Sequence, residues 1–162
     1  SLILENPSYQ SLIELQFQGH MTNEQKAMLK KFSAKYKLTN YGFIPHQQAV
    51  ENLMNADILW LNNAHKKNPE IISLGKTYEY MATRKPIIAL VPEGEVKETL
   101  KEYGASLISE PTDVNALKEH INTLIKLWEK DDLPNPSHDF VNRFSRKELT
   151  KKLAETFNVI TS

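Results

Sequence analysis

The segment Pro86 to Val91, PIIALV, is an unbroken apolar run. A strand with one wet face alternates apolar and polar residues; a strand buried on both faces loses that alternation. A run this short, with Arg84-Lys85 before it and Pro92-Glu93-Gly94 after it, reads as a strand covered by helices on both sides. Such a strand belongs to a parallel sheet, and a parallel sheet needs crossover helices.

The rest of the chain supplies them. Further strand signals are Leu12 to Gln18, Lys37 to Ile44, Asp57 to Asn62 and Ala105 to Ser109. In the first, Ile13, Leu15 and Phe17 alternate with Glu14, Gln16 and Gln18, so LQFQGHM is read as native strand rather than a cloning scar. Helices are expected at Thr22 to Tyr36, His46 to Ala56, Gly75 to Thr83, Glu93 to Tyr103 and Thr112 to Glu129. Thr22 is the N-cap of the first, and Gly104 closes the fourth. The fifth carries Leu117, His120, Ile121, Leu124, Ile125 and Trp128 at helical spacing, which makes His120 a packed core histidine. Glu129 to Asp139 reads as a polar, proline-containing connection, and a last helix is expected at about Ser145 to Phe157. The fold class is therefore α/β: a Rossmann-like, doubly wound parallel sheet of about five strands with helices on both faces, in a single domain over 1–162.

The totals exclude several functions. Lys+Arg and Asp+Glu are both 20, a formal net charge of zero, which argues against nucleic acid as partner. There is no cysteine, so disulfides and thiolate metal sites are excluded. The five histidines lie apart, with no HExxH, so no metal site is expected. No run approaches a membrane span and the start is not a signal peptide, so a cytoplasmic location is expected.

Ligands of a parallel sheet bind outside the carboxyl ends of its strands. One such end leads into Gly75, Lys76, Thr77, Tyr78 and Glu79. First-turn N–H groups attract anions, glycine lets a phosphate approach the backbone, and Lys76 adds a full charge. Glu79 lies one turn on and shares their face, where it could accept hydrogen bonds from both hydroxyls of a ribose. A first-turn glutamate is otherwise only a dipole partner, and no Walker loop is present. Tyr80 is expected in packing and Tyr78 near the site. His20 and His46 lie at strand ends. Ala64 to Glu70 reads as a solvated loop, and Ser73 lacks the neighbours of a nucleophile elbow.

The stretch GKTYEYMATRKPIIALVP resembles the signature of GT-B glycosyltransferases of family four, the group 1 type: Gly-Lys, an aromatic, Glu-Tyr, a small-residue turn, then Lys-Pro and a buried strand. LQFQGHM, YGFIPHQQAVENLMNADILWL, EYGASLISEPTDVNALKEHI and FSRKELTKKLAETF resemble the family's other segments in order, from about Leu12 to Phe157. The resemblance implies the C-terminal half of a GT-B fold: the donor domain of an enzyme that transfers sugar from a nucleoside diphosphate sugar, with retention and without metal or other cofactor. Glu79 would bind the ribose, and Gly75 and Lys76 the diphosphate. Gly42, Phe43, Ile44 and Pro45 would frame the base through backbone groups, and Gly19 and His20 would sit at the mouth of the first visible strand.

The family's frequent second glutamate falls on Ile71 here, so that role is not carried over. The resemblance also implies that a first strand-helix unit and an N-terminal acceptor domain precede this chain, and that this piece alone is inactive. The acceptor would be a glycan or glycolipid, as in polysaccharide biosynthesis, with peripheral membrane association through the acceptor domain left open. Two alternatives stand beside this reading: a non-catalytic regulatory domain of the same fold, and a sugar-nucleotide epimerase.

Overall fold

The computed structural model describes residues 8–33, 36–62 and 74–161. The loop expected at Ala64 to Glu70, together with Ile71 and Ser73, lies outside the described residues. The chain divides into two compact units, Ser1–Asn52 and Leu53–Ser162.

The first unit contains α1 (Ser8–Leu12), β1 (Glu14–Phe17), α2 (Asn23–Ser33), β2 (Lys37–Asn40) and most of α3 (His46–Asn55). β1 and β2 are parallel, with Glu14 opposite Lys37 and Phe17 opposite Asn40. Along β1, half-buried Leu15 and Phe17 alternate with exposed Glu14 and Gln16, as the sequence pattern predicts. The Thr39 hydroxyl donates to the Glu14 carboxylate at 2.9 Å. Thr22 and Gln25 form a reciprocal capping box. The Thr22 N–H donates to Gln25 Oε1 at 2.9 Å, and the Gln25 N–H donates to Thr22 Oγ1 at 3.2 Å. Gln18 joins the end of β1 to α3, donating to the Ala49 carbonyl and accepting from the Asn52 amide, both at 3.2 Å. No described residue of this unit is fully buried.

The second unit holds the core. It contains β3 (Leu59–Asn62), α4 (Leu74–Ala82), β4 (Ile87–Leu90), α5 (Glu95–Tyr103), β5 (Ser106–Ser109), α6 (Val114–Trp128), α7 (His138–Asn142) and α8 (Arg146–Thr161). The strands form a parallel ladder in the order β3-β4-β5. All four residues of β4 are buried, as the unbroken run requires. Leu59, Leu61, Ile87 and Ala89 pack with Met81 of α4, Leu100 and Tyr103 of α5, and Phe140 of α7. Ile88 and Leu90 point to the opposite face, where α6 contacts β4 and β5 and buries Leu124 and Ile125.

The α/β class and the parallel pairing are as the alternation predicts. The five strands, however, form two ladders, of two and three strands. The end of α4 also has no glycine. Arg84 takes the left-handed conformation (φ 62°), and the Thr83 hydroxyl donates to the Tyr80 carbonyl at 2.7 Å and accepts from the Lys85 N–H at 3.2 Å. The helix α7 falls inside and beyond the expected connection. Ser137 caps it, accepting from the Phe140 N–H at 3.2 Å.

Two residues test this core. Phe140 lies against Tyr103 in an edge-on contact, 6.1 Å between ring centroids. Phe140→Ala should destabilise the protein by about 3–5 kcal/mol in urea unfolding. The Tyr103 hydroxyl donates to the Lys85 carbonyl at 3.0 Å. Burial pushes its ionisation well above the ordinary tyrosine value, and the Arg84 charge only partly opposes this. Folding therefore favours the protonated phenol. Its stabilisation is complete below the unfolded value of about 10 and is lost as pH rises past it. Tyr80 shifts the same way, through burial first and the Glu79 carboxylate second. Tyr103→Phe should cost about 1 kcal/mol at pH 8. Between pH 9 and 11 the variant should lose stability less steeply than the parent.

Candidate functional site

The helix α4 carries the first group of candidate residues. Gly75 and Lys76 are exposed in its first turn, where helix N–H groups have no intrahelical acceptor. A β-carbon on Gly75 would meet nothing within 4 Å, so a ligand can approach the backbone closely. Glu79 is exposed one turn further on. Residues three apart on a helix can pair. Yet neither Lys76 nor Glu79 forms an ion pair or a side-chain hydrogen bond among the described residues. The helix tip thus offers a cation and a carboxylate that are both open to a ligand.

The residues between them face elsewhere. Thr77 is buried at 1% exposure, so it reaches a ligand only through its backbone. The Tyr78 ring lies against Phe144, just beyond α7, with 5.1 Å between ring centroids. Tyr78 and Tyr80 both pack against the core, as expected for Tyr80. The Tyr78 ring fastens the middle of α4 while the helix tip stays exposed.

The second group lies in the first unit, at the carboxyl ends of β1 and β2. Gly19 and Gly42 both have positive φ, 112° and 65°. The Gly19 N–H donates to the Gly42 carbonyl at 2.7 Å, which brings these two candidates together. The Gly42 N–H in turn donates to Asn40 Oδ1 at 3.0 Å. His20, Phe43 and Pro45 are exposed and Ile44 is half-buried. Asn40 escaped the sequence reading. Its signal was local: an Asn two residues before a glycine is a common turn former.

Other charged groups at strand ends are already engaged. Glu93 follows β4 and Glu110 follows β5, and Lys97 of α5 bonds to both, the Glu110 contact being 3.2 Å. The bond from Lys97 holds the Glu93 carboxyl below its usual range. These acids secure loops. Among the described residues no three His, Asp or Glu side chains gather as a metal site would require. No described helix is long and apolar enough to cross a membrane.

A family model described as "Glycosyl transferases group 1" matches residues 10–136. The chain belongs to that family. No curated protein matches it. The match spans both groups of candidate residues and ends just before α7. As a group 1 glycosyltransferase, the protein is a transferase with a sugar donor and an acceptor as its substrates. Membership favours this reading over the regulatory and epimerase alternatives.

The β2–α3 turn can be tested by itself. Asn40→Ala should remove the acceptor of the Gly42 N–H and speed amide exchange at Gly42 by about fivefold, since the bond contributes about 1 kcal/mol. Amides of β4 should exchange as in the parent.

Proposed function

We propose that this group 1 glycosyltransferase uses a nucleoside diphosphate sugar, and that the tip of α4 binds its diphosphate and ribose. The supporting observation is that Lys76 and Glu79, one turn apart beside the open backbone of Gly75, are exposed and unpaired among the described residues. In the reaction, the bond between the anomeric carbon and the diphosphate oxygen breaks, and a bond to the acceptor oxygen forms. Negative charge grows on the departing diphosphate. Lys76 and the first-turn N–H groups are fixed beforehand where they can stabilise it. Glu79 accepts hydrogen bonds from the ribose hydroxyls and sets the register of the donor. The family resemblance gives residues 42–45, with Gly19 and His20, to the base; that assignment concerns the first unit alone and is separate from the α4 tip. Following the resemblance, transfer proceeds with retention and without a metal ion, and an acceptor domain and a first strand-helix unit complete the enzyme.

An amide-NMR titration of this chain with UDP, GDP and CDP tests the donor site. One nucleotide should bind at roughly 0.1–1 mM, or about −4 to −5.5 kcal/mol. Its shifts should include residues 75–79. Glu79→Ala should weaken it ten- to a hundredfold, as expected for hydrogen bonds to a charged group. Sugar transfer should be absent in this chain alone. In the longer enzyme it should persist in EDTA and yield a product whose anomeric configuration matches the donor's. Equal binding by parent and Glu79→Ala would remove Glu79 from the site.

A further inference from the structure

The side chains that seat α4 on the second unit fall into rows. Thr77 and Met81, four apart on one face, are each 1% exposed and point into the core. Tyr80 packs against the core on one flank of that row. On the other flank run Tyr78 and Ala82, which face α7. Lys76 and Glu79 belong to the same two turns. Any roll of the helix about its axis therefore carries both of their charged groups with it.

On the α7 flank the helix has little to lean on besides one ring. Tyr78 meets Phe144 with 5.1 Å between ring centroids. Next to that contact the interface is unfilled. A cavity of about 130 Å³ separates Tyr78 and Ala82 from Val141, Phe144 and Ser145. Protein interiors are otherwise close-packed, so a ring beside a gap keeps its place only while its partner does.

Phe144 is itself held firmly. Its ring lies 5.2 Å from that of Phe140, which lies edge-on to Tyr103 of α5. The Arg143 guanidinium sits 4.5 Å over the Phe140 ring and donates to the Glu102 carboxylate at 3.2 Å. A chain of rings thus runs from α5 through α7 to Tyr78, wholly inside the second unit. Phe144 lies beyond residues 10–136, the part of the chain that the family model matches.

Resting on the reading of the α4 tip as the donor site, we propose that Phe144 is a positioning residue for that site. It backs the Tyr78 ring, fixes the roll of α4, and so sets where Lys76 and Glu79 meet the ligand. Phe144 touches no ligand; it acts through Tyr78. Without it, Tyr78 turns into the gap and the helix tip follows. Placement matters because an error of about 1 Å can cost about a hundredfold.

The test titrates this chain with the best-binding of UDP, GDP and CDP and, separately, with inorganic pyrophosphate, following amide shifts at residues 75–79. Phe144→Ala should weaken both ligands about tenfold. Phe144→Tyr keeps the ring and should bind as the parent does. Phe144→Leu keeps apolar bulk without the flat face; it should fold and still bind severalfold more weakly. Tyr78→Ala should weaken binding about as much as Phe144→Ala, and the double variant no further, since the two residues act as one unit. Leu124→Ala, on the opposite face of the sheet, should lower urea stability as Phe144→Ala does yet leave both affinities unchanged. Parental affinity in folded Phe144→Ala, or in Phe144→Leu should the alanine variant not fold, would overturn the positioning role and leave the donor site standing. Equal weakening in Leu124→Ala would also overturn it, because affinity would then follow stability. A double variant weakened by the product of the two single losses would overturn the route through Tyr78. If the folded parent binds neither ligand, the donor reading itself fails and the positioning role fails with it.

Discussion

The burial of β4 on both faces is the constraint on which the second unit depends. Ile87 and Ala89 have no exposed surface, and the strand pairs with β3 on one edge and β5 on the other. A strand so placed has no face that can meet water, so helices must cover both sides of the sheet there. The position of α4 follows from it. The turn at Thr83 and Arg84 fixes the helix end against the start of β4. Tyr78 holds the middle of the helix through Phe144. Gly75 and Lys76 in the first turn remain exposed. The candidate anion site is thus the exposed tip of an element anchored at its far end and along its length.

The charges sort into two kinds by their neighbours. Lys97 lies between Glu93 and Glu110 and is largely withdrawn from water, so its charge is answered within the protein. Lys76 and Glu79 face solvent and form no ion pair or side-chain hydrogen bond among the described residues. An ion pair between them would have satisfied both cheaply, and its absence leaves each able to act separately on a ligand. In the proposed reading the cation takes phosphate and the carboxylate takes hydroxyls, a division that a shared helix face makes geometrically simple.

Much of this was legible in the sequence, because it rests on local signals. The unbroken run of β4, the alternation in β1, the Thr22 cap and the closing Gly104 are each written in a few adjacent residues. The Gly-Lys-x-x-Glu spacing likewise places three candidate residues on one helix face. Other features depend on partners far along the chain. Thr77 lies on the same short stretch but turns inward, which no spacing rule separates from Lys76 beside it. Tyr78 was expected near the site, but its ring meets a phenylalanine far away in sequence. The helix α7 hides in a segment rich in proline and polar residues, and only Phe140, Val141 and Phe144 give it an apolar side. The split of the strands into two ladders has no sequence signal at all, since pairing partners are not encoded by the pattern of one strand.

The first unit has no fully buried residue among those described, and the turn that carries Phe43 belongs to it. Substitutions at such exposed positions usually change stability by less than about 0.5 kcal/mol. A lineage can therefore explore side chains at residue 43 almost without regard to folding, while β4 and its covering helices stay fixed.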